Sequence, residues 1–196
     1  MPIENSLTQS WPRRLLRLVH KIPVMIKFFM AHRNPKWAMP VCLPSSDNLY
    51  TLNPRVFRSA QPTAEAFTEY EKLGLKTVLQ LRPDPDDEPL IKHTGLKLIV
   101  VPMRTDDIKD EHIIMALNLI QSEPGPVLVH CRHGADRTGV VMAMYRIIIE
   151  GWTRDEAMTE MLRGGYGFHH RKRQNIVEYM KGVDIEGIRR GVKTGQ

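Results

Sequence analysis

The sequence predicts an α/β fold, with a central, mostly parallel sheet of four to five strands flanked by helices, and three observations carry that prediction. Residues 127–129 form a short apolar run that leaves a Pro124-Gly125-Pro126 loop and leads, after a turn, into the long apolar stretch 140–150. That is strand, loop and buried helix. Residues 75–81 and 97–101 are two further short runs rich in β-favouring side chains, bounded by Gly74, Arg82-Pro83 and Pro102. Stretches of helical spacing separate these strands, and such alternation builds parallel sheets.

In chain order, residues 1–44 read as a basic amphipathic segment and linker, 45–190 as one domain and 191–196 as a tail. Apolar residues at 15, 18, 19, 22, 25, 26 and 29 share one side of a helix, with Arg13, Arg14, Arg17 and Lys21 mostly on the other. Lys21 and Lys27 interrupt the run and Pro23 kinks it, so it is too short and too charged to span a membrane. It also lacks the unbroken apolar core and small-residue cleavage site of a secretory signal. Two readings stay open: residues 11–37 lie on an anionic membrane surface, or they pack on the domain. Trp11 and Trp37 would be interfacial anchors in the first and core residues in the second. Asn34-Pro35 and residues 40–44 read as linker, and the domain is expected to begin near Asp47.

Residues 49–52 and 55–57, on either side of Asn53-Pro54, are two short strands. Thr63 caps a helix over 64–72 that Gly74 stops. Asp84, Asp86, Asp87 and Glu88 form an acidic, Pro-containing loop expected to be solvated. Asp110 is placed to cap a helix to Gln121 whose buried face is Ile113, Ile114, Leu117 and Ile120. Gly151 ends the central helix, and Thr153 with Glu156 forms a capping box for a helix to Arg163. Residues 164–170 are then a Gly-rich turn with exposed aromatics, 174–181 a last helix, and the chain is expected to fray from Arg189.

The chemistry lies in residues 130–139, His-Cys-Arg-His-Gly-Ala-Asp-Arg-Thr-Gly. A loop between a strand and a helix N-terminus aims several backbone N–H groups into one concave space, which suits an anion. Cys131 opens the loop as a nucleophile, since N–H dipoles, a helix N-terminus and a nearby Arg favour its thiolate. Arg137 closes it with a planar guanidinium that can hold two phosphate oxygens. The Thr138 hydroxyl can turn toward the sulfur, and His130 can fix the loop by hydrogen bonding. Residues 97–101 would deliver Met103-Arg104-Thr105-Asp106-Asp107 to the same sheet edge.

The pattern His130-Cys131-x5-Arg137-Thr138-Gly139, with Gly134 inside, resembles the signature of cysteine-dependent protein tyrosine and dual-specificity phosphatases. Arg58-Ser59-Ala60-Gln61-Pro62, the strand ending at Leu81-Arg82, and Met144-Tyr145-Arg146 followed by Gly151-Trp152 and Gly164-Gly165 resemble a bacterial dual-specificity-like group. The resemblance covers about 49–189 and implies a tyrosine-phosphatase-like phosphate loop between a strand and the central helix. It implies a phosphomonoester hydrolase acting on phosphotyrosine, with phosphoserine and phosphothreonine open, through a phosphocysteine intermediate and without cofactor. By the same resemblance Asp106 is the general acid, with Asp107 as runner-up. Arg132, His133, Gly134, Ala135, Asp136 and Arg137 would bind the phosphate, and Tyr166 and Phe168 would line the pocket or simply pack the turn.

A lipid phosphatase working at a membrane surface, for example on phosphatidylglycerophosphate, is the alternative. Against a polyphosphorylated inositol lipid, Ala135 stands where such phosphatases commonly carry Lys, and Asp136 adds a negative charge beside the loop. A silent phosphate-binding module is the remote third reading, because silent relatives usually lose the Cys, the Arg or the acid.

At 196 residues the chain can bury a core without disulfides or metal, and its two cysteines make no disulfide framework, so a reducing, cytoplasmic setting is expected, with peripheral membrane attachment open. A reversible Cys42–Cys131 disulfide is a further open possibility. The net charge of +6 suits an anionic partner, either a phosphorylated protein or a phospholipid, and no nucleic-acid motif stands out. The His130/His133 and His169/His170 pairs lack further ligands at metal-site spacing, so no metal is expected.

Overall fold

The computed structural model describes residues 33–84 and 87–192. Six strands form one sheet: β1 (Met39–Pro40), β2 (Tyr50–Asn53), β3 (Val56–Ser59), β4 (Thr77–Gln80), β5 (Lys97–Val100) and β6 (Val127–His130). Their order is β1-β2-β3-β6-β4-β5. The pairs β3–β6, β6–β4 and β4–β5 are parallel, while β1–β2 and β2–β3 are antiparallel. The helices are α1 (Ala64–Leu73), α2 (Glu88–Ile91), α3 (Asp110–Ser122), α4 (Asp136–Ile148), α5 (Arg154–Arg163), α6 (Gln174–Gly182) and α7 (Ile185–Gly191).

Both faces of the sheet are covered, which is why its central strands read as nearly continuous apolar runs. Alternate residues nonetheless go to different cores. Val56, Leu79, Val127 and Val129 join the core under α3 to α7, whereas Phe57, Val78 and Leu128 join the core under α1 and α2. Every residue of β6 is buried. From Val140 to Ile148 every residue of α4 is buried, Arg146 together with its partner Glu160, so this stretch has no solvent face.

Local signals act as the sequence indicates at three caps, whereas Asp110 lies inside α3, whose cap position is Lys109. The Thr63 hydroxyl accepts from the Ala66 N–H at 3.1 Å, and Gly74 takes the left-handed conformation that ends α1. Thr153 and Glu156 form the reciprocal capping box of α5.

Three expectations need correction. The sheet has six strands rather than four to five, because Met39–Pro40, within the stretch read as linker, pairs with Tyr50 and Thr51. The reason is tertiary. Ala38 is buried and donates its N–H to Glu160 Oε1 at 2.6 Å, and Glu160 is itself paired with buried Arg146 at 2.8 Å. Burial works against both charges, but Arg146 holds the Glu160 carboxyl below the usual range. The chain also does not fray from Arg189: α7 runs to Gly191, whose carbonyl accepts from Asn118 Nδ2 at 3.2 Å, and Ile188 and Val192 are buried. Finally, the acidic run is not wholly solvated, since Asp87 is buried at the N-terminus of α2.

The amphipathic pattern over 15–29 lies outside the described residues. Of the stretch 11–37, Arg33 is turned into the protein, where it donates to the carbonyl of Gly164, to the carbonyl of Ala38 and to the Tyr166 hydroxyl. Trp37 is half-buried and shares a cleft with Trp152. Among the described residues no helix is long and apolar enough to cross a membrane.

Candidate active site

The C-terminal ends of β3, β6, β4 and β5 lie side by side, as Ser59 pairs with His130, His130 with Gln80, and Gln80 with Val100. Ligand sites in open α/β sheets form at this edge. Cys131 directly follows β6 and is buried, and the loop from it enters α4 at Asp136. No side chain caps α4. Among the described residues, no backbone carbonyl accepts from the N–H groups of residues 132–138. These donors are therefore available to an anion.

The loop is shaped by contacts on its outer side. The Arg132 carbonyl accepts from the Gln61 N–H at 3.2 Å, the His133 carbonyl from Asn48 Nδ2 at 2.8 Å, and the Gly134 carbonyl from Arg58 Nη2 at 2.6 Å. Gly134 has φ 65°, and a Cβ there would collide with the Ser59 carbonyl. Glycine is required both for the backbone conformation and for the close approach. Gly134→Ala is expected to reduce kcat/KM on a phosphate ester by about 100-fold, as a displaced loop misplaces its donors. It should also cost about 2 kcal/mol of stability. Steady-state kinetics with thermal melting of the variant checks both.

Arg137 Nη1 donates to the carbonyls of Met103 at 3.2 Å and Leu81 at 3.4 Å, so the ends of β4 and β5 hold the guanidinium at the loop. Its Nε, like the Thr138 hydroxyl, is buried without a hydrogen-bond partner among the described residues. His130 is fully buried, and its Nε2 lies 2.7 Å from Asp87 Oδ2. Asp87 in turn accepts from Gln61 Nε2, and the Gln61 side-chain oxygen accepts from Arg82 Nη1 at 2.6 Å. Sequence reasoning set Asp87 aside as solvated. No local spacing signals its approach to His130, 43 positions further along the chain.

Asp106 stands exposed, paired with Arg104, whose Nε and Nη2 donate at 3.0 and 2.7 Å. The hydrogen bond from Arg104 holds the Asp106 carboxyl below the usual range. Asp107 pairs with Lys109 at 3.2 Å. Asn175 Nδ2, from the start of α6, donates to the Thr105 carbonyl at 2.8 Å and so ties this acidic loop to the body of the protein.

Asp136 does not face the loop with a free charge. Its carboxylate accepts from the His169 N–H at 3.1 Å and lies 2.9 Å from His169 Nδ1 and 3.4 Å from Arg173 Nε. The rings of His133 and His169 meet edge-on at 5.1 Å. Partial desolvation, His169 and Arg132 together lower the His133 pKa, so its imidazole is neutral near pH 7. Arg132 is exposed beside it.

Tyr166 and Phe168 are not exposed aromatics at the mouth of the site. Tyr166 is 2% exposed, its hydroxyl donates to Glu160 Oε1 at 2.8 Å, and the Arg58 guanidinium stacks on its ring at 3.6 Å. Burial pushes its phenol well above the ordinary value. Phe168 packs with Met161 where a Cβ on Gly139 of α4 would be. The Gly-rich turn folds inward because it has these partners. The His pairs serve separate ends, His130 meeting Asp87 and His169 meeting Asp136.

A thiol at the end of a buried strand, a ring of available N–H groups and a guanidinium fixed across from it define a cysteine-dependent phosphate-ester site. The comparisons agree with that class. Residues 45–190 match the model of the tyrosine phosphatase family. The dual specificity protein phosphatase TpbA of Pseudomonas aeruginosa is 36% identical over 168 residues, 85% of this chain and 75% of that protein. A crystal structure of P. aeruginosa TpbA, with a Cys-to-Ser change and in complex with phosphotyrosine, superposes with a TM-score of 0.74 at 33% identity, covering 83% of this chain and 99% of that one. The catalytic core of the diphosphoinositol (PP-IP) phosphatase SIW14 of Saccharomyces cerevisiae gives a TM-score of 0.66 at 26% identity, covering 76% and 93%. The chain belongs to the tyrosine phosphatase family.

Proposed function

We propose that this phosphatase hydrolyses phosphotyrosine on proteins through a phosphocysteine at Cys131. The Cys131 thiolate attacks phosphorus while Arg137 and the N–H groups of the loop hold the equatorial oxygens. Asp106 gives its proton to the departing phenolic oxygen, and the S–P bond has then replaced the O–P bond. Water, its proton taken by Asp106, next attacks phosphorus; inorganic phosphate leaves and the thiolate returns. The Thr138 hydroxyl, buried and without a partner among the described residues, turns to the sulfur during turnover and stabilises the thiolate as leaving group. The observation that carries this reading is the loop itself, with three successive carbonyls held outward and the opposed N–H groups available around Cys131.

Turnover, with chelator present, of a phosphotyrosine peptide, a phosphothreonine peptide, an inositol diphosphate and phosphatidylglycerophosphate vesicles tests the substrate. Fast hydrolysis of the first is expected. Preference for the vesicles would overturn it in favour of a membrane-surface lipid phosphatase and give residues 11–37 a docking role. A second reading, cleavage of the phosphoanhydride of an inositol diphosphate, is favoured by the SIW14 likeness and by the exposed Arg132 in the loop. It predicts the inositol diphosphate as the best of the four.

The acid role of Asp106 makes a signed prediction. An acid acts protonated, so kcat/KM falls as pH rises through its pKa. Arg104 holds that pKa down, with a smaller contribution from Arg173. Arg104→Ala is therefore expected to move the alkaline limb of the pH profile to higher pH, and Asp106→Asn to abolish that limb. A limb that survives Asp106→Asn and vanishes in Asp107→Asn would assign the acid to Asp107.

A further inference from the structure

We propose that Asn48 and Arg58, two residues outside the signature and on no reacting atom, are positioning residues that set the phosphate loop in its anion-binding form. The inference rests on the phosphatase reading of this site and goes beyond it in naming what holds the site open.

The geometry is that of consecutive peptides. A trans peptide points its carbonyl and its N–H in opposite directions, and the described chain has no cis peptide bonds. Asn48 holds the carbonyl of the 133–134 peptide and Arg58 that of the 134–135 peptide. Each contact fixes the carbonyl away from the loop's interior, so the N–H groups of Gly134 and Ala135 are turned toward it. The Gln61 N–H does the same for the 132–133 peptide. Without these donors the loop could satisfy itself by flipping a carbonyl inward, which would present an oxygen to an anion instead of an N–H.

Both residues bear marks of a role beyond stability. Asn48 has φ 54°, the left-handed region that non-glycine residues seldom adopt, and its side-chain amide also donates to the Tyr166 carbonyl at 3.0 Å. One amide thereby joins the phosphate loop to the 164–168 turn. Arg58 is 2% exposed and, among the described residues, forms no ion pair. Burial disfavours its charge, and the groups near enough to favour it are, in order, Tyr166, Glu160 and Cys131. The last of these ties its charge to the loop that receives the phosphate. Arg58 thus supplies fixed positive charge behind the loop while Arg137 supplies it in front.

Asn48→Gly is the cleanest test, because glycine keeps the left-handed backbone and removes only the amide. It is compared with Arg58→Lys, which keeps the charge but loses the fork, and Arg58→Met, which loses both. Three quantities are measured: kcat/KM on a phosphotyrosine peptide, affinity for inorganic phosphate, and the rate of Cys131 alkylation by iodoacetate at neutral pH. Thermal melting monitors the fold. Asn48→Gly is expected to melt near the wild-type temperature yet lose about ten-fold or more in both kcat/KM and phosphate affinity. Arg58→Met should also alkylate at least several-fold more slowly, and Arg58→Lys should recover part of that rate. If Asn48→Gly binds phosphate and turns over like wild type, the inference is wrong, whether or not the Arg58 variants fold. Wild-type inactivity would strike the phosphatase reading itself, whereas these ratios strike only the positioning role.

Discussion

Cys131→Ser is expected to lower kcat by at least about 10,000-fold while leaving the protein folded and still able to bind inorganic phosphate. A serine hydroxyl keeps the size of the thiol but is barely ionised at neutral pH, so the attack on phosphorus fails. Binding survives because it comes from other groups: the N–H groups of residues 132–138 and the Arg137 guanidinium are untouched. Steady-state turnover together with calorimetric titration of phosphate separates the two effects. Wild-type turnover in the serine variant would mean that some other group, or water, attacks the substrate.

Arg137→Lys carries the second-largest expected effect, a fall of about 1,000-fold in kcat/KM, the size seen when a fixed donor to transition-state charge is lost. The charge is kept, so a purely coulombic role would show little change. The guanidinium, however, is held by two carbonyls from the ends of β4 and β5 and presents a rigid pair of donors to the loop. An ammonium on a flexible stem is a point charge and cannot make paired bonds to two equatorial oxygens. Kinetics of Arg137→Lys beside Arg137→Ala checks this: near-equal losses in the two would show that geometry, and not charge alone, does the work.

Much of the site was legible because it is local. The strand at 127–130, the loop and the helix that follows are contiguous, and the residues a thiolate mechanism requires fall at fixed offsets within them. The caps at Thr63, Gly74 and Thr153 were legible for the same reason, since each acts within four residues of itself. The parts that hold the site were not. Asn48 reaches the loop across 85 positions and Arg58 across 76, through side-chain-to-carbonyl bonds that leave no periodic trace.

Burial of polar groups was the other blind spot. Asp87 sits in a Pro-containing acidic run, whose composition says solvent, and only the fold places His130 against it. Tyr166 sits in a glycine-rich turn, yet Arg58 and Glu160 give its ring and hydroxyl internal partners. The short strand at 39–40 and the helix α7 were missed because neither carries enough residues to show a period; packing against Glu160 and α3 fixes them instead. Arg104 and Asp106 show the same lesson on the surface. Sequence supplied the carboxylate, while the pairing that lowers its proton affinity follows from the folded loop.

The central claim is that phosphate passes through Cys131, and trapping the intermediate tests it most directly. The wild-type enzyme is mixed rapidly with a phosphotyrosine peptide, quenched in acid within the first turnover and digested, and the peptides are analysed by mass spectrometry. One phosphoryl group on the peptide that contains Cys131, appearing in the burst with the release of tyrosine and absent from Cys131→Ser, is the predicted result. Tyrosine release with no phosphoryl group on any cysteine, or with phosphate on another residue, would contradict the account.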